Sequence, residues 1–375
     1  MIFPAVAGLL IILVTLWEAF ETIVLPRRVT RRFRFTRLFY RVTWLPWRAI
    51  GRRIARPSRR ESFLSIFGPV SLLLLFAVWA ALLIVGFGFL YFSDRTPHFA
   101  GLPLESCIYL SGTTFFTLGL GDVTPHTAPQ RIMAVFESGL GFGFLALVLS
   151  YLPVIYQAFS RREVNIVLLD ARAGSPPTAT ELLRRHGSEG VHELQQLLHD
   201  WERWSAQILE SHVSYPVVAY FRSQHNNESW LGALTAILDT SALLISGVDD
   251  ACARQARLTF AMCRHTVVDL AQVFQKKPLA LGNRLPDADL ARLRAVVSQA
   301  GIKLRDTPAS HEKLLHLREM YEPYVHALAA HLAFELPPFI LSKEIADNWK
   351  TSAWGRISSP GSRAVIDAAT DDHSD

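Results

Sequence analysis

Three stretches of this chain stay apolar for longer than a soluble helix requires. From Ser62 to Ser93 there is no charged residue, and between Arg131 and Arg161 the only charge is Glu137. Ile2 to Leu25 is broken only by Glu18 and Glu21. Crossing a hydrocarbon core takes about 20 apolar residues, so the pattern predicts three membrane-spanning helices. The first reads as an uncleaved anchor rather than a signal peptide, because no basic residue opens it and no small-x-small cleavage site follows.

Beyond residue 160 the period changes. Thr178-x-x-Glu181 has the form of a capping box, and Val191, Leu194, Leu198, Trp201, Trp204 and Ile208 keep helical spacing until Pro216. Further amphipathic stretches run about Glu228–Ser246, Asp250–Phe274, Ala288–Leu304 and Glu312–Leu336. The segment from Glu163 to Arg172 reads either as a short strand or as a helix extension. Leu231 to Val248, apolar except for Asp239, approaches the length of a span. A buried core helix is the better reading, because no basic cluster marks a new inner end after it. The fold class is therefore an all-α membrane protein with three transmembrane helices and a mainly helical cytoplasmic domain. The expected segments are 1–26 (first span), 27–61 (basic linker), 62–160 (second and third spans with the stretch between), 161–351 (helical domain) and 352–375, a tail of small and polar residues expected to be disordered.

Composition agrees with a membrane part and a soluble annex: half of the 375 residues are hydrophobic and 19% are charged. Charge sets the orientation. Arg27 to Arg60 holds thirteen arginines and no acid, and the positive-inside rule places such a linker in the cytoplasm. The N-terminus is then outside, the helical domain inside, and the expected location is the plasma (inner) membrane. Arg28, Arg31, Arg34 and Arg37 recur every third residue among Phe33, Phe35, Phe39, Tyr40, Trp44 and Trp47. That suits an amphipathic helix on an anionic inner leaflet. Voltage sensing would need this run inside a helix bundle, and the adjacent spans disfavour nucleic acid as the partner.

The chemistry lies between the second and third spans, in Ser111-Gly-Thr-Thr-Phe-Phe-Thr117-Leu-Gly-Leu-Gly-Asp122-Val-Thr-Pro125. This run resembles the pore helix and selectivity filter of potassium channels, commonly Thr-Val-Gly-Tyr-Gly-Asp, in a single pore-loop, two-transmembrane module with an extra N-terminal span. The resemblance implies a re-entrant pore helix and filter between the second and third spans, in which the backbone carbonyls of Thr117, Leu118, Gly119 and Leu120 replace the hydration shell of a permeant K+ ion, with the Thr117 hydroxyl as the innermost ligand. Gly119 and Gly121 give the loop access to positive φ, and Asp122 would ring the outer mouth. Leu120 stands where relatives often carry an aromatic residue that braces the filter by a hydrogen bond, so reduced selectivity stays open.

The resemblance also implies a homotetramer, since the chain has one pore loop, and a gating hinge at Gly141, with Gly139 beside it and Pro153 able to kink the helix near its inner end. Packing of small residues is the competing account of these glycines. Glu137 is expected to support the filter from behind through the pore helix. Asp94 and Glu105 read as solvated outer-surface acids, His98 as a surface histidine, and Glu18 and Glu21 as partners for Arg27 or Arg28. His186, His192, His199 and His212 lack compact metal-ligand spacing and read as solvated; Cys107, Cys252 and Cys263 do not suggest a disulfide framework. No nucleophile-base grouping or Gly-x-Gly-x-x-Gly nucleotide turn stands out in the helical domain, so the reading is not an enzyme, with no cofactor and an unknown cytoplasmic ligand or partner. Function reads as passive K+ conduction gated by the third span and the cytoplasmic domain; the alternative is a weakly selective cation channel, or a receptor or scaffold with a structural pore module.

Overall fold

The computed structural model describes residues 2–25, 34–94, 96, 99, 101–187, 191–225, 227–248 and 251–342, and of residues 191, 192 and 251 only the backbone. Arg27, Arg28, Arg31, His98, the side chain of His192 and the tail 352–375 lie outside the described residues. Among the described residues every regular element is a helix. They sort into two units, Met1–Ala49 with Phe67–Gln157, and Ile50–Ile66 with Ala158–Asp375.

In the first unit, α1 (Ile2–Ala19) continues as a π-helical turn to Val24. It lies against α4 (Phe67–Ser93), which two earlier helices precede, α2 (Phe35–Gly51) and α3 (Pro57–Ser65). Gly8 explains the closeness of α1 and α4: a Cβ there would sit 2.5 Å from the Gly86 carbonyl oxygen. Small residues let membrane helices approach backbone to backbone. Gly88 does the same on another face of α4, where a Cβ would come within 2.8 Å of Ile108 on α5 (Leu104–Phe115). The core between these helices and α6 (Ala128–Ala173) gathers Leu83, Phe87, Tyr91, Cys107, Leu110 and Phe115.

The basic linker forms α2 only from Phe35 onward. Trp44 is buried on the Phe67 ring at 4.7 Å between centroids. At the foot of α1, buried Glu18 accepts from the Thr36 backbone N–H at 3.2 Å and its hydroxyl at 3.0 Å. Arg34 lies 3.9 Å from Glu21 and donates to Thr22. Within the described residues Glu18 is thus met by Thr36, and Glu21 by the Trp17 indole N–H at 2.8 Å and by Arg34.

The second unit contains α3, the last part of α6, then α7 (Ala179–Gly187), α8 (Val191–Ser214), α9 (Trp230–Gly247), α10 (Ala251–Val273), α11 (Asp287–Gln299), α12 (Pro308–Glu319) and α13 (Glu322–Leu332). The ambiguous stretch after Glu163 is helix, the continuation of α6 without a break. The stretch Glu312–Leu336 is two helices rather than one. Chain direction changes at Met320 and Tyr321, and Pro323, which lacks an N–H, sits in the first turn of α13. Thr178 accepts from the Glu181 backbone at 3.2 Å, as its motif predicts.

Among the described residues four helices qualify by length and composition to span a membrane, and α9 is one of them. Every residue of α9 is buried within the second unit, which leaves no face for lipid, so it is a core helix. Its one acid, Asp239, is met by Arg284 at 2.7 Å and by the Tyr321 hydroxyl. His186 and His212, expected at the surface, are buried: both are on the apolar faces of their helices, and each Nδ1 lies within 3 Å of the carbonyl one turn back. His199 is half exposed. The three cysteines are buried and none forms a disulfide among the described residues.

Candidate functional site

The loop from Phe116 to Asp122 leaves the C-terminus of α5 and turns sharply. Thr117 donates its backbone N–H to the Thr114 carbonyl at 3.0 Å, and Leu118 to the Thr113 carbonyl at 2.7 Å. Thr117, Gly119 and Gly121 have φ of 58°, 57° and 84°, alternating with Leu118 and Leu120 at negative φ. Alternation of hand at successive residues is the backbone condition for consecutive carbonyls to point to one side. Glycine meets it at little cost. Thr117 is β-branched, and a β-branched residue at positive φ is strained by about 1–3 kcal/mol, so its conformation is imposed by the loop.

Leu118 and Leu120 are 63% and 65% exposed in the single chain, so their side chains stand off the protein while the backbone bends. Asp122 is exposed and accepts from the Val123 N–H at 3.1 Å. The sequence-predicted residues Thr117 to Asp122 thus form one continuous loop at the end of one helix.

What holds α5 in place was only half legible in the sequence. Glu137 on α6 is fully buried, and its two oxygens accept from the Ser111 hydroxyl on α5 and the Tyr91 hydroxyl on α4, the latter at 2.9 Å. Ser111 also reaches the Ile84 carbonyl oxygen at 2.8 Å. Three helices, α4, α5 and α6, meet on one carboxyl. The expected link from Glu137 to the pore helix is there, but Tyr91 and Ser111 were missed; a buried acid with no cation in its span is the signal that hydroxyl donors must lie nearby.

A second clamp joins the start of α6 to the segment after α4. Gln130 Nε2 donates to Asp94 at 2.6 Å and to Thr96 at 2.8 Å, and its Oε1 accepts from the backbone of His126 and Thr127. Asp94, expected to be solvated, is therefore a fixed acceptor for Gln130 and the Thr96 backbone N–H.

The glycines of α6 separate. A Cβ on Gly141 would run into the Phe115 carbonyl oxygen, whereas one on Gly139 or Gly143 would meet nothing in the single chain. Gly141 is thus packed directly on the Phe115 backbone. Pro153 lies inside α6, which continues past it to Ala173. Of the arginine set, Arg34 turns into the protein with 16% of its side chain exposed, and Arg37 is half-buried on α2.

Residues 78–157, which include α5, the loop and the first part of α6, match the family described as "Ion channel". This segment belongs to that family. The chain carries an ion-channel module, and with its apolar helices α1, α4 and α6 it is a membrane protein. It is also 25% identical over 184 residues to "Uncharacterized membrane protein YdjJ" of Bacillus subtilis (strain 168), covering 47% of this chain and 52% of that protein. The chain spans about half the length of the curated relative it matches. No solved structure matches it.

Proposed function

We propose that the chain is a potassium-selective channel in which four copies surround one pore and the loop from Thr117 to Gly121 is the filter. The observation that carries this is the alternation of backbone hand at Thr117, Gly119 and Gly121 within a Thr-Leu-Gly-Leu-Gly-Asp run. It supports a row of carbonyls aimed at an axis, which four such loops would complete into rings able to replace the hydration shell of K+. In this reading Asp122 raises cation concentration at the mouth, and Leu120 packs outward without a bracing bond, so that the Glu137 and Gln130 clamps carry the stiffness that an aromatic residue supplies elsewhere. The thirteen arginines from Arg27 to Arg60 support an inside location for the linker and an outside location for the N-terminus, with Arg37 and its neighbours near anionic lipid and α6 carrying the gate.

Flux of K+ and Na+ into proteoliposomes of the purified chain, beside a Gly119→Ala variant, tests this. An L residue at φ 57° costs about 1–2 kcal/mol in each copy, and K+ flux is expected to vanish. K+ flux over Na+ that disappears in the variant supports the reading; equal flux of both ions gives a weakly selective cation channel instead; flux that survives Gly119→Ala removes the loop from the pathway.

A further inference from the structure

Helix α6 is longer than its membrane task. Its 46 residues rise roughly 69 Å, against a hydrocarbon core of ~30 Å, and the charges that resume at Arg161 mark where the surplus begins. In this surplus one face is fastened down: Arg162, Ile166, Leu169 and Ala173 are buried. Arg162 donates to the carbonyls of Val218 and Phe221, both at 2.9 Å, and pairs with Glu163 at 2.8 Å. The opposite face is apolar and bare. Val164, Val167 and Leu168 are 56%, 52% and 52% exposed, on a stretch flanked by exposed Arg161 and Arg172.

These residues keep a register. Within the channel module, Gly139, Gly143, Ala146 and Ser150 follow one another in steps of four, three and four, and all are exposed in the single chain. Counting on in alternating threes and fours leads to Val164, Val167 and Ala171, again all exposed. A strict alternation of three and four is the seam of helices that pack on copies of themselves. Its chemistry changes along the helix: small and hydroxyl residues first, where a pore would need room for water and ions, then β-branched valine, which fills a helix seam.

We propose that the part of α6 past Arg161 is a self-association surface, on which Val164, Val167 and Leu168 pack against the same residues of a second copy of this chain in a parallel bundle below the pore. This rests on the channel reading, in which copies of α6 already run side by side, and the bundle continues that interface. With Arg162 tying the same turns to the helical domain, a motion of that domain would act on the seam directly.

The test is cross-linking of the full chain in membranes with a short bismaleimide, using Val167→Cys and, as control, Leu258→Cys, an exposed apolar position on α10 away from the seam. The native cysteines are buried and give the background. Val167→Cys is expected to form a covalent dimer at least tenfold more than Leu258→Cys, and adding Val164→Asp, at an exposed site that leaves helicity unchanged by circular dichroism, is expected to abolish it. Equal cross-linking at both positions, or none at Val167→Cys in protein that still passes ions, overturns the bundle and spares the channel. Protein that neither cross-links nor passes ions overturns both.

Discussion

The two units each bury an acid on an apolar stretch of helix, and they partner it differently. Glu137 in the channel module is met by two hydroxyls, from Ser111 and Tyr91. Asp239 in the helical unit is met by a guanidinium, Arg284, whose two terminal nitrogens reach its two oxygens at 3.1 and 2.7 Å, and by Tyr321. Burial alone would lower the Arg284 guanidinium, and the adjacent Asp239 carboxylate raises it above its usual range instead. A neutral hydroxyl cluster suits a place where three helices must be registered on one another without importing a cation. An ion pair suits a core where Glu322 and Arg318 extend the network at the rim. The difference teaches that the acid in the pore module acts as a positional peg, and the acid in the helical unit as one half of a charge pair.

The contrast predicts unequal damage. Arg284→Met leaves Asp239 buried without its cation and is expected to destabilise the helical unit by about 3–5 kcal/mol, read as a large fall in its unfolding midpoint. Asp239→Leu added to Arg284→Met should recover much of that loss; no recovery would mean that Arg284 acts mainly through its bond to the Pro337 carbonyl. Gly141→Ala is next. The new methyl meets the Phe115 backbone, and overpacking of this kind costs about 1–3 kcal/mol, with ion flux expected to fall because the displaced backbone carries the loop.

Glu137→Ala should cost a comparable or smaller amount, about 1–3 kcal/mol, chiefly through the buried Tyr91 hydroxyl, which loses Glu137 as its acceptor, while Ser111 keeps the Ile84 carbonyl. Glu137→Gln, which keeps an acceptor, should retain most flux; if Gln is as harmful as Ala, the peg reading fails.

The smallest effect is on pH. Burial first, and then the Arg162 guanidinium, hold His212 well below the usual histidine range. The unfolded chain takes up a proton near pH ~6.5 that the native state refuses, so stability is full above that pH and declines as pH falls below it. The slope is at most about 1.4 kcal/mol per pH unit for this one group. His326, lowered first by burial, adds in the same direction. Unfolding midpoints between pH 7 and 5 should show the decline, and His212→Gln should flatten part of it.

Much of the channel module was legible because its signals are local. The apolar runs are contiguous, and the loop's glycines and threonine sit within six residues of one another, so pattern and motif meet in one stretch. The partners of Glu137 were not legible, because they lie 26 and 46 residues away and nothing in a linear reading says which hydroxyl faces which helix. The same distance hid the role of Asp94, 36 residues from Gln130. In the helical unit, helical period located the elements but not the break between α12 and α13, since Met320 and Tyr321 keep apolar spacing while the chain turns there to bring Tyr321 against Asp239.

The sequence by itself determined that the chain has spans, a filter-like loop and a helical annex, because hydropathy, glycine conformational freedom and helical period are properties of short segments. Tertiary structure alone decided that α9 is core rather than span, that His186 and His212 are buried, that Gly141 is needed for contact with Phe115, and that α6 continues past the membrane length with one face fastened and one face bare. Those are decisions about which surfaces meet, and burial depends on the neighbours a fold brings together.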